Sequence, residues 1–280
     1  MVELAEALRR LGDVAVAVSG GVDSMTLAVV AHRDPAVRAG IFHAVSPAVP
    51  PEATERVRRY AQSEGWNLRI IDAQEFRDAD YVRNPVTRCF HCKSNLYGTI
   101  AAVTDAKIVS GTNIDDLGDF RPGLTAARAL DVRHPYVDAG IDKDGVRRLA
   151  GALGLGDLAE LPSAPCLSSR IETGLAIDPT VLRIVHEVER ELTDAIAPKA
   201  VRCRVRPGRV VVEIDEATLH ALDPFEQQRI IGEVAQRWRR SGRPRPVELA
   251  PYRRGSAFVH ALPVDRPTQQ SNQEVPRDRH

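Results

Sequence analysis

No stretch of the sequence approaches the ~20 consecutive apolar residues that a membrane helix requires. The start, Met1-Val2-Glu3-Leu4, is acidic where a signal peptide would be basic, and no long apolar region follows it. A cytoplasmic location and no membrane partner are therefore expected. Net charge is also missing, because 38 Lys+Arg balance 38 Asp+Glu. Such a chain has no general field drawing it to DNA or RNA, so no nucleic-acid partner is expected. Residues 173–280 hold only three net positive charges, too few for a broad RNA-binding face. Cysteine is scarce. The four in the chain (Cys89, Cys92, Cys166, Cys203) are too few for a disulfide scaffold, which leaves core residues, metal ligands or reactive thiols. No internal repeat is present. The 280 residues suffice for one large domain or two modest ones.

What is present in the first half is an alternation of strand and helix signals. Val14 to Val18 is a short apolar run followed at once by a Gly-rich turn, and Met25 to Ala31 then reads as a helix packed on a sheet. Further strands are expected at Ile41 to Val45, Leu68 to Ile71 and Lys107 to Ser110, with helices around Pro51 to Ser63 and Lys93 to Val103. This order predicts an α/β fold, a parallel sheet with crossover helices. Ligands bind such sheets at the carboxyl ends of the strands. Three polar clusters follow predicted strands directly: Ser19 to Ser24, Ser46 onward, and Gly111-Thr112-Asn113.

The pattern changes near Ile171 to Pro179. A long helix at about Pro179 to Ala195, two short strands at Val201 to Val205 and Val210 to Ile214, and a helix at about Pro224 to Arg239 predict a smaller α+β domain. The expected organisation is 1–172, 173–262, and a polar, Pro-containing tail at 263–280 expected to be disordered.

A phosphate site needs a turn that aims several backbone N–H groups at one spot, ideally at a helix start. Ser19-Gly20-Gly21-Val22-Asp23-Ser24 supplies it after a strand, with glycines for close approach and two hydroxyls as donors. Asp23 suits phosphate only with a cation between them, as a Mg²⁺ ligand. The Gly-Lys-Ser/Thr of a Walker loop is absent, which argues against γ-phosphate transfer. Asp115, Asp116 and Asp119 follow a strand end, where carboxylates bind a cation or cap a helix.

Cys89-Phe90-His91-Cys92 sets two thiols close enough to share a metal, or to act as a redox or packing pair. Cys166 lies 74 residues beyond Cys92, in a Pro-bounded loop. Three thiolates can hold three corners of a cubane cluster and leave one iron free. Cluster ligation, direct attack by Cys166 and structural or redox roles stay open here, and His91 is either an alternative ligand or a solvated or hydrogen-bonded histidine. Cys203 alternates with Arg202 and Arg204 in a strand and reads as a small packed hydrophobe.

Ser19 to Ser24 resembles the signature loop of the ATP pyrophosphatases (the PP-loop superfamily), which adenylate a substrate and release pyrophosphate. Further stretches resemble one branch, the sacrificial sulfur transferases of the LarE family, in its three-cysteine form. They are Asn84-Pro85 with Arg88-Cys89-Phe90-His91-Cys92-Lys93, Gly111 to Asp116 with Asp119-Phe120-Arg121-Pro122-Gly123, Pro165-Cys166-Leu167-Ser168-Ser169-Arg170-Ile171, and Tyr252-Arg253-Arg254-Gly255-Ser256. The likeness covers nearly all of residues 1–260. It implies an ATP- and Mg²⁺-dependent sulfur transferase that adenylates a pyridinium dicarboxylate mononucleotide and makes its thiocarboxylate for a nickel-pincer nucleotide cofactor. Another adenylating sulfur or amide transferase, such as a tRNA thiolation enzyme, is the alternative.

The resemblance also implies roles. Ser19, Gly20, Gly21, Asp23, Ser24, Ser46, Gly111 and Thr112 would hold ATP and its metal, with Arg170 beside the phosphates. Cys166 would either attack the acyl-adenylate and be consumed to dehydroalanine, or join Cys89 and Cys92 around a [4Fe-4S] cluster carrying an extra sulfide. Glu189, Glu213, Arg253 and Ser256 would face the mononucleotide, and a homo-oligomer is expected. Pro207 and Val211 depart from the family pattern, which has histidine and arginine at these two positions.

Overall fold

A computed structural model describes residues 2–118, 122–162 and 164–258. The predicted parallel sheet is present, in the order β3-β2-β1-β4 with every pairing parallel. Its strands are β1 (Asp13–Val18), β2 (Arg38–Ala44), β3 (Leu68–Ile71) and β4 (Lys107–Ser110). The helices of this part are α1 (Val2–Leu11), α2 (Val22–Arg33), α3 (Pro51–Glu64), α4 (Ala79–Val82), α5 (Arg88–Ala101), α6 (Pro122–Ala129), α7 (Pro135–Asp138), α8 (Lys143–Ala152) and α9 (Gly156–Ala159).

β1 shows why the sheet is covered on both faces. Val14, Val16 and Val18 point into a core with α1, α2, α3, α8 and α9, while Ala15 and Ala17 point into a second core with Tyr97 and Ile100 of α5. Alternation of large and small residues lets α5 approach closely. Its start differs from the expectation: the helix begins at Arg88 rather than near Lys93, so Cys89 and Cys92 lie in its first two turns. Nothing between Thr87 and Lys93 breaks a helix, and the packing of Tyr97 and Ile100 holds the whole element in place.

The smaller α+β part is also as predicted. It comprises α10 (Pro179–Ile196), β5 (Val201–Arg206), β6 (Arg209–Ile214), α11 (Glu216–Ala221), α12 (Pro224–Arg240) and β7 (Val247–Pro251). The two expected strands β5 and β6 form an antiparallel hairpin, and β7 adds parallel to β6, a strand not foreseen. Asp178 caps α10 and Asp223 caps α12, each with proline in the first turn. Cys203, fully buried in this sheet, is the packed residue its alternation suggested. The core here also takes in Tyr81 and Leu167 from the first part, so the two regions share packing. Asp119, Phe120, Arg121 and the tail at 263–280 lie outside the described residues.

Candidate active site

β1 is flanked by β2 on one side and β4 on the other, and the chain leaves it in opposite directions to reach them. Between the carboxyl ends of β1 and β4 is therefore the switch point where an open α/β sheet binds ligands. Ser19 to Ser24 leaves β1 there. Gly20 has φ +83°, and a side chain on it would meet the Ala53 carbonyl at 2.7 Å. Arg56 Nη1 donates to the Gly20 carbonyl at 2.8 Å and fixes the turn. Ser24 Oγ accepts from the Ser19 N–H at 3.0 Å. No side chain caps the start of α2, so its first N–H groups face an open seat with positive potential.

The β4 loop closes on this turn. A Cβ on Gly111 would lie 2.7 Å from Ser24 N, so glycine is what permits the two loops to touch. Thr112 Oγ1 lies 3.0 Å from Ser110 Oγ, and Asn113 Nδ2 donates to Asp23 Oδ1 at 3.1 Å. Asn113 and Asp116 form a capping box on the short turn Ile114–Leu117, while Asp115 Oδ2 accepts the Lys143 N–H at 3.0 Å. Asp116 is thus a cap, one of the two roles expected of these carboxylates.

Lys143 was not foreseen. Its Nζ lies 2.5 Å from Asp23 Oδ2, both side chains being about a quarter exposed. The phosphate loop thus has a lysine, supplied by the first turn of α8 rather than by the loop itself. No local signal marks it in sequence, because the pairing spans 120 residues.

Beyond β2, Ser46 Oγ accepts the Ala48 N–H at 3.2 Å, and the Ala48 carbonyl accepts the Leu167 N–H at 2.9 Å. The Cys166 loop is thereby held at the same rim. Cys166 is exposed, whereas Cys89 and Cys92 are partly buried. The three lie near enough to act on one another electrostatically. Burial pushes Cys92 up to about 12, opposed by Lys93 and reinforced by Cys166. Burial also raises Cys89, with Cys166 adding to it and Arg88 and Lys93 opposing. The three sulfurs are not gathered within 4.8 Å of one another. Among the described residues the one group that tight is Asp78, Asp80 and His91. Its ligand atoms could hold a cation, although Asp78 also caps α4 and accepts from Asn95.

The remaining expected residues are engaged within the protein. Arg170, 4% exposed, forms a two-pronged ion pair with Glu189 at 3.0 and 2.8 Å. Its third nitrogen donates to the carbonyls of Pro165 and Cys166 and to Ser169 Oγ. Burial lowers its basicity, but the bonds and charge of Glu189 outweigh that and leave it raised. All three nitrogens are thus engaged within the protein, two on Glu189 and one on the Cys166 loop. Glu189 Oε1 also accepts the Cys203 N–H at 2.9 Å. Glu213, 2% exposed, pairs with Arg204 and Arg206 and accepts Ser256 Oγ at 2.5 Å. Arg204 Nη1 in turn donates to the Ser169 carbonyl at 3.0 Å, tying β5 to the Cys166 loop, while Arg253 is exposed.

The chain is 33% identical to an uncharacterised protein of Synechocystis, over 81% of this chain and 84% of that one. It is 30% identical to one of the subunits of the glutamine-hydrolysing GMP synthase of Methanopyrus kandleri, over 69% of each. The chain matches no family model. A phosphate loop at the switch point of a parallel sheet, with this kinship, defines a class: the chain belongs to the PP-loop ATP pyrophosphatase superfamily, a class of ATP-using enzymes. Within it, the chain is 27% identical to the pyridinium-3,5-bisthiocarboxylic acid mononucleotide synthase of Lactiplantibacillus plantarum, over 77% of this chain and 79% of that enzyme. Among the described residues no helix is long and apolar enough to cross a membrane.

Proposed function

We propose that the protein adenylates a carboxylate of a pyridinium mononucleotide, releases pyrophosphate, and converts the acid to a thiocarboxylate at a centre formed by Cys89, Cys92 and Cys166. The observation that carries this reading is the Cys166 loop itself, held to Ala48 on the rim that bears the phosphate loop and, through the Ser168 carbonyl, to Arg88 beside Cys89. The similarity to the bisthiocarboxylic acid mononucleotide synthase supports the choice of substrate.

The residues present fit ATP with Mg²⁺. The uncapped start of α2 would accept phosphates, with Ser19, Gly20, Gly21, Ser24 and Thr112 around them, and glycine at 20 and 111 lets the turn pack against Ala53 and the β4 loop. Asp23 would take the cation, and Lys143, released from it, would turn to phosphate oxygen. Mg²⁺ neutralises the pyrophosphate leaving group. The thiols suit a [4Fe-4S] cluster in number and kind, two in the first turns of α5 and one in the loop bonded to Arg88. Such a cluster supplies an open iron site for sulfide. The protein's own part is to hold the three thiolates, with Arg88 and Lys93 as nearby positive charge.

The exposure of Cys166 favours a second reading, in which its sulfur attacks the acyl-adenylate carbonyl and AMP leaves. Loss of the Cα proton and cleavage of the Cβ–S bond then give product thiocarboxylate and dehydroalanine. In both readings Arg170 and Glu189 steady the Cys166 loop. Glu213 and Ser256 shape the acid site, and Arg253 faces the substrate phosphate. We further propose units at 1–172 and 173–262, the second serving the acid substrate and assembly into a homo-oligomer.

Product analysis tests the scheme. With acid substrate, AMP and pyrophosphate are expected; ADP as the main nucleotide would overturn it. In the cluster reading, anaerobic protein turns over repeatedly at unchanged mass. In the second reading each chain loses about 34 Da once, the mass of H₂S, at Cys166.

A further inference from the structure

Arg88 is 3% exposed, and among the described residues no carboxylate pairs with it. Such a buried guanidinium is costly unless its hydrogen bonds do something specific. Its Nη1 donates to Asn84 Oδ1 and, at 3.0 Å, to the Ser168 carbonyl, two residues past Cys166. The Phe258 ring lies 5.3 Å from the guanidinium and covers it.

Asn84 seats this arginine. It is fully buried at φ +56°, a backbone conformation that asparagine tolerates better than most residues. Its Nδ2 donates to the carbonyls of Ile171, Glu172 and Leu175 at 3.3, 2.9 and 3.0 Å. Its own carbonyl accepts the Gly174 N–H at 2.9 Å. A second clasp comes from α4, where Tyr81 Oη lies 2.7 Å from Ser168 Oγ in a buried contact. The segment leading into α5 thus grips the chain just after Cys166 at several points, and the helix it leads into carries Cys89 and Cys92.

We propose that Arg88, seated by Asn84 and assisted by Tyr81, is a positioning residue that docks the Cys166 loop onto the first turns of the helix bearing Cys89 and Cys92. The inference rests on the reading that these three thiols act as one centre. Arg88 touches neither the phosphate loop nor the expected acid contacts; it sets the separation of sulfurs from two distant segments. Its side chain also adds the positive charge that three thiolates or their sulfur cargo would need beside them.

The test is brief oxidation of the full-length, metal-free protein with diamide, which takes two electrons and two protons from each thiol pair. Peptide mass spectrometry then counts disulfides that include Cys166 against Cys89–Cys92 disulfides. In the unchanged protein the Cys166-containing species should form readily. Arg88→Leu should lower their share about tenfold, the worth of hydrogen bonds from a charged donor, and Arg88→Lys should restore part of it. Tyr81→Phe, which removes one clasp and keeps the packing, should lower it about threefold and carries the test if Arg88→Leu does not fold. ATP affinity should hold steady throughout, and in Tyr81→Phe, which leaves the charge beside Cys89 as it is, so should the Cys89–Cys92 disulfide, which a general loosening of the fold would not allow. If the unchanged protein forms no Cys166 disulfide, the one-centre reading fails and the clamp with it. If it does and the variants match it, the clamp alone is wrong.

Discussion

Replacing Glu189 by Gln probes the buried pair that holds the Cys166 loop. The carboxylate sits between Arg170, with bonds of 3.0 and 2.8 Å, and the Cys203 N–H at 2.9 Å, and both partners are nearly sealed from water. Glutamine keeps the shape and one acceptor oxygen, enough for Cys203. It turns an NH₂ toward a guanidinium nitrogen and leaves a buried positive charge uncompensated. Removing one partner of such a pair costs about 3–5 kcal/mol. At about 2–4 °C per kcal/mol for a chain near this size, the melting temperature should fall by about 6 °C or more. A double-mutant cycle with Arg170→Met separates this coupling from simple loss of packing. Arg170→Met/Glu189→Met should recover at least about 2 kcal/mol relative to the sum of the single changes, because no buried charge is then left alone. Urea and thermal denaturation read both quantities. If Glu189→Gln melts within about 2 °C of the unchanged protein while ATP-dependent turnover collapses, the pair is not formed in solution. Arg170 would then be free to act on phosphate.

Asp23→Asn should leave the fold intact yet abolish the Mg²⁺ dependence of pyrophosphate release, with turnover falling at least about a hundredfold, and full activity would remove the residue from metal binding. Gly111→Ala puts a methyl 2.7–2.9 Å from the backbone of Asp23 and Ser24, so ATP affinity should drop about tenfold or more, read by isothermal titration; unchanged affinity would mean that the β4 loop does not touch the phosphate turn. His43 is fully buried, its ring nitrogens 2.9 Å from the Val18 carbonyl and from Thr54 Oγ1, and burial holds its pKa below the usual 6.5. The unfolded chain therefore takes up this proton first as pH falls through 6.5, so the stabilisation present above 6.5 declines on acidification. His134 is depressed by burial in the same way, so His43→Gln should flatten only part of the slope of melting temperature between pH 7.5 and 5.5; an unaltered slope would show that His43 does not titrate there.

Much of the architecture was legible because it is written in local chemistry. Alternating Val and Ala in β1, the Ser-Gly-Gly turn after it, proline at the starts of α3, α10 and α12, and the hairpin at Pro207-Gly208 are short-range signals. That the sheet is parallel followed from the alternation of strands with crossover helices. The phosphate turn was legible for the same reason, since one contiguous segment supplies its N–H groups.

What the tertiary structure alone decided was which distant groups meet and which are already engaged. Lys143 reaches Asp23 across 120 residues, and β7 joins β6 from the far end of α12, pairings that no periodicity announces. The family resemblance marked Arg170, Glu189 and Glu213 as candidates for phosphate and substrate, but only packing shows Arg170 buried against Glu189 and Glu213 against Arg204, where desolvation makes each the obligatory partner of the other. The cysteines divide the same way. Their number and spacing are properties of the sequence, whereas the hydrogen bonds from Asn84 and Arg88 to the chain after Cys166 join segments about eighty residues apart.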